Sequence, residues 1–463
     1  MKVTQVKPYP KPKKPFLKLV DKDKERFANE LEAVIKPFIF LCQIFCTAPP
    51  CIKFSDEIFK IKDEYRLNCK QRIISYIHHI WSCFVLISVC LATYYQNTQF
   101  DYSMGFLTKT LYIGEYVFAA FNVVLIIIGC NYQRRNYFYF FEQLIDIDME
   151  LLKCGVKPKY PKYKKDFNQM MGCYSIFFTL VLLVDFFYNK MNVPSFFRSS
   201  TVYTIPNIIW VLSLSQFGSV MLLVKVKLKT INAILLGICK EMPYAEDTET
   251  REKLLLAVVL KIENEKIKPG ENVSCKVVES LRRLHAKVCV VGHSATNSFG
   301  ILLSITILAG FVVLNIQFFQ LYKTSESLEP YDLFLFLYTL LWIVLYGGKV
   351  VGILYVGHIV SEEKAKTGPI LYDLEGREDK QDTHFRDIIH KFSMQLLHEE
   401  SSHTACGVVK LELTILSSLL NTLTTYLVIL IQFDTAGRTS NIVICKNFTN
   451  DTPQNPIVVK VQY

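Results

Sequence analysis

Residues 413–433 read LTILSSLLNTLTTYLVILIQF, an apolar run interleaved with Ser, Thr and Asn. It is long enough to cross a bilayer, whose hydrocarbon core takes roughly 20 helical residues. Thr414, Ser418, Asn421 and Thr425 are spaced by four, three and four, which lines them on one face of a helix. Ile429 and Gln432 extend that face to the far end. Polar groups in hydrocarbon are costly, so this edge must meet protein or water. Two readings follow. In one, Ser and Thr permit close helix packing and hydrogen bonds between helices. In the other, the stripe faces a water-filled pore; since one helix encloses nothing, that reading needs several copies around an axis. Ile429 would then be an apolar constriction able to gate by dewetting.

Six more apolar blocks precede this one, giving expected spans near 73–95, 111–130, 170–188, 205–224, 297–322, 332–357 and 413–433. Of the 463 residues, 51% are hydrophobic, and they gather into blocks between charged stretches, as in a membrane protein. A shorter apolar segment, Val34 to Phe45, is interrupted by Lys36, Pro37 and Gln43 and reads as an interfacial or re-entrant helix. The expected fold is all-α: a seven-helix transmembrane bundle with long cytosolic helical extensions. Residues 1–72 form a cytosolic segment, 73–433 the membrane domain and 434–463 an extracellular tail.

Orientation follows from the Lys and Arg of the connecting segments, which concentrate on the cytosolic side. Segments 1–72, 131–169, 225–296 and 358–412 carry 16, 8, 13 and 7; the alternating segments 96–110, 189–204, 323–331 and 434–463 carry 1, 2, 1 and 3. The amino end is therefore expected in the cytosol and the carboxyl end outside, an inverted arrangement. The sequons at Asn447 and Asn450 agree, because N-glycans attach on the lumenal side. A third, at Asn272, falls in a segment assigned to the cytosol. The net charge of +10 lies in these topology-setting segments, not on a basic face of a soluble domain, so nucleic-acid binding is not expected.

Within the cytosolic segment before span five, Val277, Val278, Leu281, Leu284, Val288 and Val291 recur at helical spacing, with Arg282, Arg283 and Lys287 on the other face. Span five thus continues into the cytosol as an amphipathic helix, packed on its own chain or used for assembly. Ligand-pocket candidates are the polar and aromatic residues in the outer halves of the spans: Glu115, Asp185, Asn207, Trp210, Gln317, Tyr338 and Trp342. Membrane-interface anchoring is the competing use of such Trp and Tyr side chains. Lys349 reads as a side chain snorkelling toward the cytosol.

Enzyme chemistry finds no support. His398-Glu399-Glu400 with His403 has its histidines five apart, where a zinc-binding helix face needs four. Adjacent His78 and His79 point to different helix faces. No phosphate loop, dinucleotide fingerprint or nucleophile elbow occurs, and no catalytic residue, metal or cofactor is expected.

Thr425-Tyr426, five apolar residues and then Gln432-Phe433 resemble the signature of insect gustatory receptors, seven-transmembrane chemoreceptors. Phe392-Ser393-Met394-Gln395-Leu396 and Thr404-Ala405-Cys406-Gly407 are similar to that family's approach to its last helix. Leu228 to Leu235, with Asn232, and Leu284 to Phe299 are similar to the ends of its cytosolic loop. The resemblance implies a tastant-gated, non-selective cation channel in the dendritic plasma membrane of sensory neurons, built as a homotetramer or a mixed tetramer with related receptors. The seventh helix would line the pore, with Thr425, Tyr426, Gln432 and Phe433 in that helix and the last two near the outer gate. Helices four to seven would meet in a cytosolic anchor domain, and the tastant would sit between helices in the outer half. Where the sugar-receptor subgroup commonly has an acidic residue after the Thr-Tyr pair, Leu427 stands here, which points to bitter-type or fructose-type ligands. The tail is also longer than is usual in the family. An odorant receptor subunit shares the architecture but not the Thr-Tyr to Gln-Phe spacing. A metabotropic seven-span receptor should have its amino end outside.

Overall fold

The computed structural model describes residues 14–49, 69–98, 106–132, 134–154, 160–241, 273–326, 333–376, 383–399 and 402–450, with Val156 and Pro158 between, and side chains at the carboxyl end as far as Ala436. In chain order these are α1 (Lys14–Ile44), α2 (Cys69–Thr98), α3 (Phe106–Tyr132), α4 (Arg134–Lys153), α5 (Tyr160–Tyr188), α6 (Val193–Ser199) and a π turn (Ser200–Thr204). Then come α7 (Ile205–Glu241), α8 (Val273–Glu326), α9 (Leu333–Ala365), α10 (Thr367–Gly376), α11 (Thr383–His398), the hairpin β1 (Thr404–Ala405) and β2 (Val409–Lys410), and α12 (Thr414–Asn450). Seven of the described helical stretches are long and apolar enough to cross a membrane. They form one all-α bundle.

Three helices make the centre: α7, α8 and α9 pack on one another, with α3 and α5 around them. All three run past the hydrocarbon thickness into the basic side, where α1, α4, α10 and α11 join them. This inner half is a hydrophobic core like that of a soluble domain. Leu235 of α7, Val278, Leu281 and Val288 of α8, Leu371 and Leu374 of α10 and Phe385, Ile389 and Phe392 of α11 are all fully buried. Outside the membrane each such side chain contributes about 1.5–3 kcal/mol by leaving water. Within lipid that driving force is absent, and close packing and hydrogen bonds must serve instead.

The amphipathic extension of span five is α8 itself, 54 unbroken residues. Its Val277, Val278, Leu281, Leu284, Val288 and Val291 are buried against the same chain, so that apolar face is used up within the chain itself. Helix α1 reaches well beyond Val34–Phe45 and turns Phe27, Leu31, Val34, Phe38 and Cys42 onto α4 and α5. The basic segment 131–169 holds a helix that charge counting does not reveal. On α4, Asp148 is buried in an ion pair with Lys227 of α7, accepts from Tyr160 Oη at 2.9 Å, and sits near Tyr163, whose ring lies 5.7 Å from the Lys227 ammonium.

Local chemistry sets the breaks. Pro369 cannot extend α9, because its ring would collide with the carbonyl four residues back, at Ala365 where α9 ends. The stretch Thr404-Ala405-Cys406-Gly407 forms the hairpin, and its turn needs two successive positive φ angles, 51° at Cys406 and 68° at Gly407. Gly357 on α9 lets the chain pass as it enters α12: a Cβ there would lie 2.4 Å from Leu411 Cβ and 2.6 Å from its carbonyl oxygen.

Candidate functional site

In the outer half of the bundle the polar residues of the spans meet one another. Gln317 of α8 donates to both carboxylate oxygens of Glu115 on α3, at 3.2 and 3.3 Å. Trp210 of α7 donates its indole N–H to Thr306 of α8 at 2.7 Å. On α9, Tyr338, Trp342 and Tyr346 form a continuous aromatic row, with centroid separations of 5.7 and 6.1 Å. Tyr188 stacks on Tyr338 at one end, and Tyr203 leans on Trp342.

Lys349 closes the row. Its ammonium donates to Asn207 Oδ1 at 2.7 Å and lies 3.6 Å from the Tyr346 ring centroid and 4.1 Å from that of Trp210. Only 7% of the residue is exposed, so it does not snorkel. Glu115 is near enough to interact with it electrostatically. An amine buried this deeply needs polar and aromatic neighbours, and the Asn207 carboxamide oxygen and two aromatic faces supply them. The signal was present in the sequence, since Tyr338, Trp342, Tyr346 and Lys349 follow one another by four, four and three on a single helix face.

Asp185 lies at the Tyr338 end of the row, near enough to that phenol to interact with it electrostatically. It accepts from Ser199 Oγ at 2.8 Å, Ser200 Oγ at 3.1 Å and Asn189 Nδ2 at 3.0 Å, holding the turn between α5 and α7. A cavity of about 470 Å³ opens beside Lys349 between α5, α7 and α9, walled by Tyr174, Phe177, Phe217, Ser215 and Gly348. A second, of about 330 Å³, lies between α3, α7 and α8 and includes Asn122, Gln216 and Ser298.

The last helix presents a different geometry. Its main neighbour is α8. Leu416, Leu419, Leu423, Leu427 and Leu430 form its sheltered side, with Leu423 8% exposed. Thr414, Ser418, Asn421, Thr425, Ile429 and Gln432 are all exposed and lie on the opposite side of the helix. The hydroxyls partly satisfy themselves: Thr422 donates to the Ser418 carbonyl at 2.8 Å and Thr425 to that of Asn421 at 3.0 Å. Tyr426 lies on the flank, edge-on to Phe311 of α8 at 5.6 Å, and Phe433 is exposed. Asp434 pairs with Lys323 at 3.1 Å, tying the outer ends of α12 and α8. The helix continues to Asn450, but the side chains of Asn447 and Asn450 lie outside the described residues.

Residues 36–437 match the family model described as 7tm chemosensory receptor. The chain belongs to this family. The chemosensory receptor is 20% identical over 384 residues to a putative gustatory receptor, 59e, of Drosophila melanogaster, covering 82% of this chain and 92% of that one. It is 28% identical over 157 residues, 34% of its length and 36% of the other, to the Drosophila melanogaster gustatory receptor for sugar taste 43a. Among solved structures it is similar to the olfactory receptor OR5 of Machilis hrabei in complex with eugenol, with a TM-score of 0.53 at 12% identity, covering 88% of this chain and 99% of that one. It is thus a multi-pass membrane protein of a receptor family, not an enzyme.

Proposed function

We propose that this chemosensory receptor is one subunit of a tastant-gated, non-selective cation channel, with α12 of each subunit lining a shared pore. The exposed polar edge of α12 carries this reading. Self-bonded hydroxyls are tolerable in lipid, but the carboxamides of Asn421 and Gln432 are not, and neither has a hydrogen-bond partner among the described residues. Water shared between copies around an axis relieves that cost. Thr425, Ile429, Gln432 and Phe433 then form the outer part of the pore, with Ile429 as the apolar constriction and Tyr426 bracing the helix on α8. Residues 1–72 stay in the cytosol, 73–433 form the membrane unit, and 434–463, with acceptor sites Asn447 and Asn450, project outside.

The ligand is a small tastant, a bitter compound or a fructose-type sugar, held by the aromatic and polar cluster around Lys349. Asn207 and Trp210 touch Lys349, Glu115 and Gln317 pair beside it, and Trp342 and Tyr338 carry the lining along α9 toward Asp185. The similar olfactory receptor structure holds eugenol, which agrees with a small molecule. Recording current from receptor-null cells expressing the chain, against a panel of sugars and bitter compounds, tests both parts. The proposal expects ligand-evoked cation current without G-protein signalling, and a rise of at least tenfold in half-maximal concentration for Trp342→Ala. Robust signalling that requires a G protein, with no conductance of its own, would contradict it.

A further inference from the structure

On the cytosolic side, far from the pocket, three side chains with metal-binding atoms converge. His285 Nδ1, Cys289 Sγ and a Glu399 carboxylate oxygen all lie within 4.8 Å of one another. His285 and Cys289 are one turn apart on α8, which places their side chains over each other, 3.7 Å from Nδ1 to Sγ. Glu399 comes from just past the end of α11, with Oε2 also 3.7 Å from Nδ1. Its other oxygen accepts from Gln395 Nε2 at 3.0 Å, so Oε2 is the one turned inward. His285 is fully buried and Cys289 nearly so.

Neighbouring hydrogen bonds orient the imidazole. Asn232 gives its N–H₂ to the backbone and side-chain oxygens of Glu363, at 2.9 and 3.2 Å, leaving Oδ1 as an acceptor. Thr367 spends its one hydroxyl proton on that Oδ1 at 2.8 Å. Facing His285 Nε2 at 3.4 Å, Thr367 can therefore only accept. The ring proton belongs on Nε2, and the Nδ1 lone pair points at Cys289 and Glu399. Imidazole, thiol and carboxylate then present electron pairs to one point, with the Lys364 ammonium 3.2 Å from Glu399 Oε2 as the nearby positive charge. An outer hydrogen bond that fixes the tautomer is the usual support of a metal-binding histidine.

We propose that His285, Cys289 and Glu399 bind one divalent cation of the zinc class, with water as the fourth ligand and Lys364 as the competing internal cation. A nitrogen, sulfur and oxygen set suits zinc and not calcium or magnesium, which take oxygen ligands. Tetrahedral zinc with ordinary bond lengths has ligand-to-ligand edges of roughly 3.4–3.6 Å. The two 3.7 Å separations need to close by only a few tenths of an ångström. Binding deprotonates the Cys289 thiol, releasing one proton to solvent and forming a thiolate–metal bond, without any redox change. Because Glu399 precedes the hairpin that enters α12, the ion ties that entry to α8. This site does not depend on the channel reading.

The test uses the purified full-length receptor in detergent, stripped with a chelator and titrated with zinc against a chromophoric competitor, and separately with cobalt. One zinc per chain and a thiolate-to-cobalt absorption band are expected. Cys289→Ser should abolish the band and weaken zinc at least tenfold. Thr367→Val, which spares all three ligands, should weaken it about 10–100-fold, and Lys364→Met should tighten it. No saturable equivalent, or binding that leaves the Lys364→Met and Thr367→Val affinities unchanged, would overturn the site. The cluster would then be an internal imidazolium–carboxylate pair only, and this holds even if Cys289→Ser fails to fold.

Discussion

Helices α7 and α12 are similarly apolar, yet the structure treats them oppositely. In the membrane stretch containing α7, 78% of residues in the most apolar window are buried within the chain; for α12 the figure is 6%. Both carry polar side chains. On α7, Gln216 donates to Thr47 at its carbonyl and hydroxyl oxygens, at 2.9 and 3.1 Å, and Asn207 accepts from Lys349. On α12 the matching carboxamides face outward. Hydropathy therefore identifies a span without saying whose surface it will meet. The bare, polar edge of α12 is what the proposed shared pore accounts for.

The comparison can be broken hardest at the base of α12, where the helix depends on its entry more than on its own packing. Gly357→Ala would push a methyl group into the backbone at Leu411. We expect at least a tenfold loss of folded receptor, read as monodisperse yield. Normal yield would mean that the entry can shift and does not fix α12. Next comes the inner end of α7. Lys227→Met leaves Asp148 buried and unpaired and should cost about 3–5 kcal/mol, while adding Asp148→Leu should restore most of it. Thermal unfolding of the single and double variants distinguishes this from loss of Lys227 packing alone, in which case the double variant would be no better.

Two glutamines then test the contrast directly. Gln216→Leu should lower stability by about 1–3 kcal/mol by stripping partners from buried groups. Gln432→Leu should leave stability and surface expression nearly unchanged but alter conductance or rectification. Equal effects on both readouts would erase the distinction between the helices. At neutral pH the last contrast is silent, and it appears only in acid. Burial, together with His293 and Lys364 nearby, holds His403 beside the hairpin down to about 3 from 6.5. The unfolded chain takes up a proton there before the folded one does. Stability is therefore fully present above about pH 6.5 and falls toward about pH 3, by up to about 1.4 kcal/mol per unit. Thermal midpoints of the native chain and His403→Gln should diverge over that window; parallel curves would remove His403 from the account.

The sequence reveals the spans because twenty apolar residues admit few other uses, and the Lys and Arg asymmetry orients them. It also reveals the polar edge of α12, since Thr414, Ser418, Asn421 and Thr425 need only helical periodicity. What stays hidden is pairing at a distance. Lys349 looks like a charge seeking water until Asn207, Trp210 and Tyr346 are seen around it, from two helices. Likewise His285 and Cys289 gain a third metal-binding atom only when the chain just past α11 brings Glu399 to them. Asp185 is a case of the same kind: its three donors, Ser199, Ser200 and Asn189, are visible only once the turn between α5 and α7 is folded.

The most direct test is an experimental map of the assembled receptor in a lipid bilayer. The account predicts several copies around an axis, with Thr414, Ser418, Asn421, Thr425 and Gln432 of each α12 bordering a central aqueous passage. A particle without an axial opening, with those side chains against lipid or a neighbouring helix, would contradict it.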